Sequence, residues 1–296
     1  MKLWTVSELN KTEASEIQTK YELPAIVAML LQIRNIKTQN EIEDFLFNDS
    51  EIASPFEIKD MDKAVSRIKT ALDNGELICV YGDYDADGVT STALLYSYFD
   101  ATGANAMYYI PSRETEGYGM NNSAVDFLKE KGVKLIVTVD NGIAALEEIE
   151  YASSLGIDTV VTDHHMPTGE LPNACAVVDL HRKDCQSKFK NLSGVGVAFK
   201  LIMALEGEYC DVNSLLDNYA DLLSIGTIGD IVELKDENRV FVKRGLQSIM
   251  NSDRVGINAL VESSGLGGKN LTAGNVSFTL VPRINAVGRL GLSGKS

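Results

Sequence analysis

The stretch Leu77–Gly88, LICVYGDYDADG, decides the fold of this chain. Its first part, Leu77–Tyr81, is short and apolar, which is typical of a strand buried in a parallel sheet. Its second part carries three aspartates at alternate positions, and a helical stretch near residues 89–101 follows. A strand that leads through polar residues into a helix is the unit of an open α/β sheet, whose ligands bind beyond the carboxyl ends of the strands.

This alternation of strand and helix continues along the chain. Helical stretches near residues 89–101, 122–131 and 144–154 separate the first four of five strand candidates. Parallel strands need such crossover connections, and these connections are right-handed. We therefore predict an α/β fold with a doubly wound, mostly parallel sheet and helices on both faces. The strand candidates after the first are Ala106–Ile110, Leu135–Val139, Thr159–Val161 and Ala176–Val178.

The N-terminal part differs from the region that follows it. Pro24 suits the first turn of a helix over AIVAMLLQI, and Thr38 with Glu41 forms a plausible capping box before IEDFLF. From Met61 an amphipathic pattern runs to a glycine stop and leads into the first strand. We predict a helical N-terminal segment over residues 1–60 and a catalytic α/β domain over residues 61–265.

Composition and charge narrow the class of protein. The 296 residues are 45% hydrophobic and 23% charged, which is enough apolar side chain to bury a core. The formal net charge of −15 argues against a nucleic-acid binder that relies on a coat of lysine. A nuclease stays compatible with this charge, because bound divalent cations and a few arginines can supply positive charge locally.

Neither a membrane segment nor a disulfide framework is indicated. No apolar run approaches the roughly 20 residues of a membrane helix, and MKLWTVSELN lacks the hydrophobic block of a signal peptide. The four cysteines are far apart, which favours reduced, buried thiols in a cytoplasmic protein without membrane contact. They are Cys79, Cys175, Cys185 and Cys210.

Acidic residues and histidines follow the ends of three predicted strands, and a further aspartate lies in GTIGDIVEL. Because the carboxyl ends of parallel strands share one edge of a sheet, we expect these side chains to converge on a metal site. Carboxylates with one or two imidazoles suit manganese, with magnesium as the alternative, and two ions about 3.5–4 Å apart would suit phosphoester hydrolysis. Zinc is less favoured without cysteine. The residues are Asp83, Asp85, Asp87, Asp140, Asp163, His164, His165 and Asp230.

Other interpretations of single motifs are weaker. The pattern D-x-D-x-D-G starts a calcium loop, but Leu94 stands where that loop needs glutamate, and the element before it is a strand. The terminal GLSGKS resembles a P-loop, yet Arg289 occupies the position of its first glycine. Gly194 and Gly196 lie at a predicted helix start, where backbone N–H groups could approach phosphate oxygens. Close packing of that helix on the sheet explains these two glycines nearly as well.

The motifs GDYDADG, VDNG and DHH, in this order, resemble those of the DHH phosphoesterase superfamily. The wider sequence, including IPSRETEGYGMN, LSGVGVAFK and VPRINAVGRLG, resembles the RecJ-type single-stranded-DNA-specific 5′-to-3′ exonucleases. The resemblance implies two Mn²⁺ or Mg²⁺ ions, with Asp140 as the bridge, and His165 as a further ligand or a contact to the scissile phosphate. The implied ligands are Asp83, Asp85, Asp140, His164 and Asp230, and the implied catalytic set is Asp83, Asp85, Asp140, His164 and His165.

The same resemblance suggests substrate contacts. Arg113 and Arg283 match motif positions that face the bound strand in this family, and the planar guanidinium suits phosphate. Tyr84 and Tyr118 lie beside the motifs, where they could stack on bases or simply pack. RecJ-type proteins usually continue into a second domain, so residues 266–296 are predicted to connect to a missing C-terminal substrate-binding domain.

The leading interpretation is an exonuclease core that hydrolyses single-stranded DNA in recombination and repair, with repair or helicase proteins as candidate partners and an unknown oligomeric state. One alternative is a DHH phosphodiesterase for short oligonucleotides or cyclic dinucleotides. Cys79 argues against it, because those branches carry histidine four residues before the first motif aspartate. A non-catalytic replication scaffold is the other alternative, and the intact acidic motifs argue against it.

Overall fold

A parallel sheet of five strands forms the centre of the larger part of the protein, in the order β2-β1-β3-β4-β5. The computed structural model describes residues 6–46 and 52–289. All four strand pairings are parallel, which confirms the predicted doubly wound α/β fold. The strands are β1 Ile78–Tyr81, β2 Ala106–Tyr109, β3 Leu135–Val139, β4 Asp158–Asp163 and β5 Ala176–Asp179.

Helices cover both faces of this sheet. Alternate residues of β1 face opposite layers: Ile78 and Val80 belong to one core cluster, and Cys79 and Tyr81 to the other. The strand is therefore buried on both faces, as a central parallel strand must be. Helices packed in the first layer are α4 Met61–Asp73, α5 Ala86–Ala101, α8 Gly194–Glu206, α9 Val212–Gly229, α10 Asp236–Met250 and α11 Val255–Ser263, and the second layer has α6 Asn122–Glu130 and α7 Leu146–Ser154.

The chain continues past α11 along the first layer. A short turn α12, Ala273–Asn275, leads through the π-helical residues Val276–Leu280 into α13, Val281–Arg289. Val276 and Leu280 are fully buried in the first core cluster. The described part of the predicted connector therefore packs on the core. No helix in the ranges 6–46 and 52–289 is long and apolar enough to cross a membrane.

The chain divides into two compact units, Met1–Glu51 and Ile52–Ser296. The first holds α1 Lys11–Lys20, α2 Ala25–Ile33 and α3 Gln39–Leu46 around its own small core. The capping box forms, since Glu41 N–H donates to Thr38 Oγ1 at 3.3 Å and Thr38 N–H donates to a Glu41 carboxylate oxygen at 2.9 Å. Residues 52–60 group with the second unit, so the division between compact units comes before the predicted boundary at residue 60.

Two sequence-based details differ from the structure. Pro24 is the residue before the first turn of α2, not a member of that turn. Cys79 and Cys185 are buried as expected, whereas Cys175 is exposed. Cys175 precedes β5 in a connecting loop, where the chain returns to solvent before entering the sheet.

Candidate metal centre

The loop after β1 presents acidic side chains at the start of α5. Asp85 is the N-cap residue, and its carboxylate accepts hydrogen bonds from Asp87 N–H at 2.9 Å and Gly88 N–H at 3.0 Å. Asp83 is 1% exposed. Gly88 is required here, because a Cβ would lie 2.6 Å from the carbonyl oxygen of Asp83. The spacing D-Y-D-A-D-G therefore encodes a tight turn from strand to helix that buries Asp83 and Asp87.

Asp140 follows β3 in a left-handed backbone conformation, with φ of 60°. This region is unfavourable for most residues, although aspartate and asparagine tolerate it best. Asn141 holds the turn by donating from its side-chain amide to Tyr81 O at 3.2 Å and Val139 O at 2.9 Å. The D-N-G motif thus links the ends of β1 and β3 and fixes a buried carboxylate, which is more than an ordinary turn does.

Asp163, the last residue of β4, orients the two histidines after it. Its carboxylate accepts from Ile143 N–H at 2.9 Å, His164 N–H at 2.7 Å and His165 N–H at 3.1 Å, and it lies 2.7 Å from His165 Nδ1. Burial works against its charge, but the hydrogen bond and charge of His165 hold the pKa of Asp163 below its usual value. Asp163 therefore positions the loop, and it raises the pKa of His165 through the same hydrogen bond.

Seven side chains from these loops and from the end of α9 converge, and we call them the strand-end cluster. They form three groups whose candidate ligand atoms lie within 4.8 Å of one another. Asp140 and His164 each belong to two groups, so the groups are continuous. The groups are Asp83, Asp85 and Asp140; Asp140, His164 and His165; and Asp87, His164 and Asp230.

His164 lies at the centre of the strand-end cluster. Its Nε2 is 3.1 Å from Asp140 Oδ1 and 3.8 Å from Asp87 Oδ2, and its Nδ1 is 3.6 Å from Asp230 Oδ2. Asp230 caps the C-terminal end of α9, which explains how a residue distant in sequence reaches the strand ends. Seven of the eight residues expected to converge belong to these groups, and Asp163 instead positions the two histidines. The residues that the resemblance implies as ligands or catalytic groups are all included: Asp83, Asp85, Asp140, His164, His165 and Asp230.

The strand-end cluster has unsatisfied polar atoms that suit a cation. Asp83 Oδ1, Asp140 Oδ1 and His164 Nε2 are buried and form no hydrogen bond, since the 3.1 Å contact between the last two lacks the geometry of one. Such buried polar atoms are costly without a ligand. Burial raises the pKa of Asp83 to about 7, and burial with nearby carboxylates raises that of Asp140. Oxygen and imidazole donors without a thiolate match Mn²⁺ or Mg²⁺. The residues present therefore fit divalent cations.

Asp87 has a second role that the sequence did not indicate. Its carboxylate accepts from Gly194 N–H at 2.6 Å and Val195 N–H at 2.9 Å at the start of α8. The expectation that the Gly194 N–H contacts phosphate is therefore corrected, because that donor is already used. A Cβ on Gly194 would also lie 2.5 Å from Asp140 Cβ, and one on Gly196 would lie 3.2 Å from Leu192 Cβ, so both glycines serve close packing.

Flat side chains extend from the strand-end cluster. The Tyr118 hydroxyl is 3.5 Å from both ring nitrogens of His165, and their ring centroids are 6.0 Å apart. Tyr84 meets Tyr118 edge to face at 6.4 Å, and the Arg113 guanidinium lies 5.1 Å from the Tyr84 ring centroid. Tyr118 is 54% exposed. Arg113 thus reaches the neighbourhood of the cluster through these rings.

Arg283 is placed differently from Arg113. Its Nη1 donates to Thr279 O at 2.6 Å, one turn earlier along its own helical segment. Asn285 instead reaches the start of α5, where its side-chain oxygen accepts from Ala86 N–H at 2.8 Å. Sequence reasoning missed Asn285. Its only signal is that it lies in VPRINAVGRLG, because a single asparagine forms no distinctive pattern.

Asp179 and His181, at the end of β5, extend the row of polar strand ends. Asp179 pairs in register with Asp163, is fully buried, and accepts from His181 N–H at 2.6 Å. Burial is the main cause that raises the pKa of Asp179 to about 7. An acid at the end of an apolar strand is the sequence signal that also marks Asp140 and Asp163, so the sequence could have indicated Asp179.

Comparisons with known proteins agree with this geometry. The family model for the DHH family, N-terminal domain, matches residues 77–227. The chain is 42% identical over 288 residues to the single-stranded-DNA-specific exonuclease RecJ of Bacillus subtilis, covering 97% of this chain and 36% of that protein. It is 38% identical over 281 residues to RecJ of Escherichia coli, covering 91% of this chain and 48% of that protein.

A solved structure of a RecJ protein also resembles this chain in fold. RecJ in complex with Mn²⁺ from Thermus thermophilus superposes with a TM-score of 0.80 at 32% identity, covering 98% of this chain and 41% of that one. The chain spans about a third to a half of the length of these three relatives. Since the family model covers residues 77–227, just over half of the 296 residues, and includes the first three loops of the strand-end cluster, the chain belongs to the DHH family.

Proposed function

We propose that this chain carries the catalytic centre of an exonuclease that hydrolyses phosphodiester bonds in single-stranded DNA with two divalent cations. The observation that supports it most is the sharing of Asp140 and His164 between adjoining groups of ligand atoms. One shared carboxylate and one shared imidazole make room for more than one cation in a continuous site. The names of the RecJ relatives support the substrate and the exonuclease activity.

The metal ligands in this proposal are Asp83, Asp85, Asp140, His164 and Asp230. When bound, two Mn²⁺ or Mg²⁺ ions would neutralise phosphate oxygens, activate water and stabilise the leaving oxygen. Asp140 and His164 hold the ligand groups together, since each belongs to two of them. Asp87 is tied to the start of α8, so it fixes the distance between that helix and the loop after β1.

His165 is the residue that we propose to contact the scissile phosphate. Its side chain is 45% exposed, whereas that of His164 is 10% exposed. Asp163 fixes Nδ1 and favours the protonated ring, which leaves Nε2 able to donate to a phosphate oxygen. Tyr118 lies beside the same ring, edge to face at a centroid distance of 6.0 Å.

A row of side chains beside the strand-end cluster suits a single strand of DNA. It is formed by Arg113, Tyr84 and Tyr118. Aromatic rings and guanidinium planes stack on bases whatever the sequence, and only an unpaired strand exposes the faces of its bases. A net charge of −15 supplies no general attraction to DNA, so the contacts beside the cluster must provide affinity. The 5′-to-3′ direction and the repair or helicase partners rest on the resemblance, and the cytoplasmic location rests on the cysteine usage. All three stay predictions.

The two other candidate functions are less well supported. Among the described residues, the groups of candidate ligand atoms contain no cysteine, and Cys79 lies within β1, fully buried in the second core cluster. A cysteine at this position departs from the histidine that the short-oligonucleotide branch carries there. A scaffold that had lost catalysis would have no need for buried carboxylates without partners, because each one lowers stability.

The test is digestion of end-labelled oligonucleotides by the purified chain with Mn²⁺, Mg²⁺ or EDTA. We expect stepwise release of nucleotides from a single strand with Mn²⁺, slower digestion of duplex or RNA competitors, and no digestion with EDTA. Labels on the 5′ and 3′ ends give the direction. Cleavage of a cyclic dinucleotide with no digestion of single-stranded DNA would contradict the proposal and favour the phosphodiesterase.

A further inference from the structure

The segment that follows Asp230, between α9 and α10, has a backbone that its own residues disfavour. Ile231 has φ of 61°, and Asp236, the first residue of α10, has φ of 44°. A left-handed backbone is an outlier for a β-branched residue, and such conformations persist only where the surrounding structure fixes them. Ile231 is 85% exposed, so packing of its side chain does not fix this turn. A contact elsewhere in the segment must hold it.

Asn238, in the first turn of α10, supplies that contact. Its side-chain amide donates to Glu233 O at 3.1 Å and to Asn191 O at 2.6 Å. Asn238 is fully buried, and its Oδ1 has no hydrogen-bond partner. A residue that only filled space would leave no buried oxygen unpaired. The side chain of Asn238 therefore acts as a donor that joins two segments of backbone.

The first of these hydrogen bonds restrains Asp230. Asp230 caps the C-terminal end of α9, and Glu233 follows it by three residues. The turn at Ile231 cannot unwind without moving Glu233 O away from its buried donor. Asp230 Oδ2 lies 3.6 Å from His164 Nδ1, so the direction in which this carboxylate leaves α9 decides whether it shares a cation with His164.

The second hydrogen bond restrains Asp87 through α8. Asn191 comes three residues before Gly194, where α8 begins. The Gly194 N–H donates to the Asp87 carboxylate at 2.6 Å, so a shift of the loop before α8 would disturb this carboxylate. Asp87 belongs to the same group of candidate ligand atoms as Asp230. Asn238 thus ties together the backbone behind two of the three side chains in that group.

We propose that Asn238 is a positioning residue that holds Asp230 and Asp87 in place for the cation bound by His164 and Asp230. The inference rests on the proposed function for the presence of that cation. Hydrogen bonds that orient metal ligands contribute about ten- to a hundredfold to metal affinity. The two hydrogen bonds of Asn238 do not reach the loop after β1, where Asp83 and Asp85 lie. Asn238 therefore acts on one of the two cations.

The experiment compares Asn238→Leu with a control on the same helix. Leucine keeps the branched shape of asparagine and removes both hydrogen bonds. Asn238→Ser is a milder variant, because its smaller side chain leaves room for a water molecule on the freed carbonyls. Phe241→Leu is the control, since Phe241 is fully buried one turn along α10 and packs on Phe199 of α8, with ring centroids 5.4 Å apart. This control loosens the contact between α10 and α8 without removing a hydrogen bond.

Calorimetric titration with Mn²⁺ gives the number of bound ions and the affinity of each, and urea unfolding gives the stability of the metal-free chains. We expect two Mn²⁺ ions in the parent chain. In Asn238→Leu one of them should bind about ten- to a hundredfold more weakly and the other within about twofold of the parent affinity. Asn238→Ser should show a smaller shift in the same direction. Phe241→Leu should lower stability and leave both Mn²⁺ affinities within about twofold.

Turnover gives a second readout. Excess Mn²⁺ should restore the turnover of Asn238→Leu to within about threefold of the parent value, because mass action refills the weakened site. Parent-like Mn²⁺ affinities in both Asn238 variants would overturn the inference and leave the proposed function intact. The same loss of Mn²⁺ affinity in Phe241→Leu would also overturn it, because loosened packing would then explain the effect. A parent chain that binds no Mn²⁺ would contradict the proposed function, and the inference would fail with it.

Discussion

Asp140 combines three properties that single it out among the acidic residues: it is buried, it has a left-handed backbone, and it belongs to two ligand groups. We predict that Asp140→Asn lowers Mn²⁺-dependent hydrolysis at least about a hundredfold, because both ion sites lose a shared ligand. Asparagine keeps the size and tolerates the backbone conformation, so the fold should persist. Steady-state kinetics of the variant and of an exposed control, Asp100→Asn, check this. Near-parental activity of Asp140→Asn would exclude the shared-ligand role.

The adjacent histidines should behave differently. His164 has a buried side chain in two ligand groups, whereas His165 is half-exposed and held by Asp163. We predict that His164→Ala weakens Mn²⁺ binding, and that His165→Ala lowers turnover more than Mn²⁺ affinity, because His164 belongs to two ligand groups whereas His165 belongs to one and has its Nδ1 held by Asp163. Calorimetric titration with Mn²⁺ and kinetics on both variants decide the matter. Equal losses of Mn²⁺ affinity would make both residues plain ligands.

Buried carboxyls make the stability of the metal-free protein depend on pH. The pKa of Asp83 rises from its usual 3.8 to about 7 in the folded chain, chiefly through burial. The folded state therefore binds more protons than the unfolded state between those pH values, and stability is lost as pH rises through the folded pKa. We predict that Tm without metal falls between about pH 5 and pH 7.5, and that Asp83→Asn flattens this slope. An unchanged slope in the variant would contradict the raised pKa.

The start of α8 depends on Asp87, which satisfies two of its backbone N–H groups. We predict that Asp87→Ala lowers the free energy of unfolding by about 1–3 kcal/mol, because buried donors lose a charged acceptor. Urea unfolding measures the loss. Asp211, the exposed N-cap of α9, is a matched control, and Asp211→Ala should cost less because water can replace its bonds. If Asp87→Ala lowers the free energy of unfolding by the same amount as Asp211→Ala or less, Asp87 does not stabilise the start of α8 more than an exposed N-cap residue does.

Strands were more predictable than the ends of helices. The sequence predicts Leu135–Val139, and β3 has these bounds, because a run of apolar β-branched residues has no other stable place in an α/β chain. The helix predicted from residue 89 begins at Ala86 instead, since Asp85 caps it and the acidic turn hides the first helical residues. β4 reaches Asp163, two residues beyond its prediction, because that aspartate continues the ladder to Asp179.

The candidate site was predictable in outline and not in its detailed contacts. Strand ends of a parallel sheet share one edge, so the convergence of Asp83, Asp140 and His164 follows from topology. The bond from Gly194 to Asp87 depends on the three-dimensional path of α8, which no local pattern encodes. Asp230 comes from a helix end outside the alternating region, so its convergence with the strand ends does not follow from the sheet topology.

The net charge of the whole protein limits how it can bind DNA. With a net charge of −15, long-range attraction is absent, and affinity must come from cations in the cluster and from nearby side chains. We predict weak, salt-sensitive binding of a labelled single strand that needs a divalent cation, with a further loss in Arg113→Ala. Fluorescence anisotropy with Ca²⁺ and with EDTA measures it. Tight binding of the single strand in EDTA would contradict this prediction, because it would show that DNA binding needs no divalent cation.

The central claim is that the strand-end cluster holds two divalent cations through Asp140 and His164. X-ray diffraction at the manganese absorption edge from Mn²⁺-soaked crystals tests it most directly, because anomalous scattering locates each Mn²⁺ ion without reference to activity. The account predicts two anomalous peaks, both in contact with residues of the strand-end cluster and at least one touching Asp140. A single peak, or peaks away from Asp140 and His164, would contradict it.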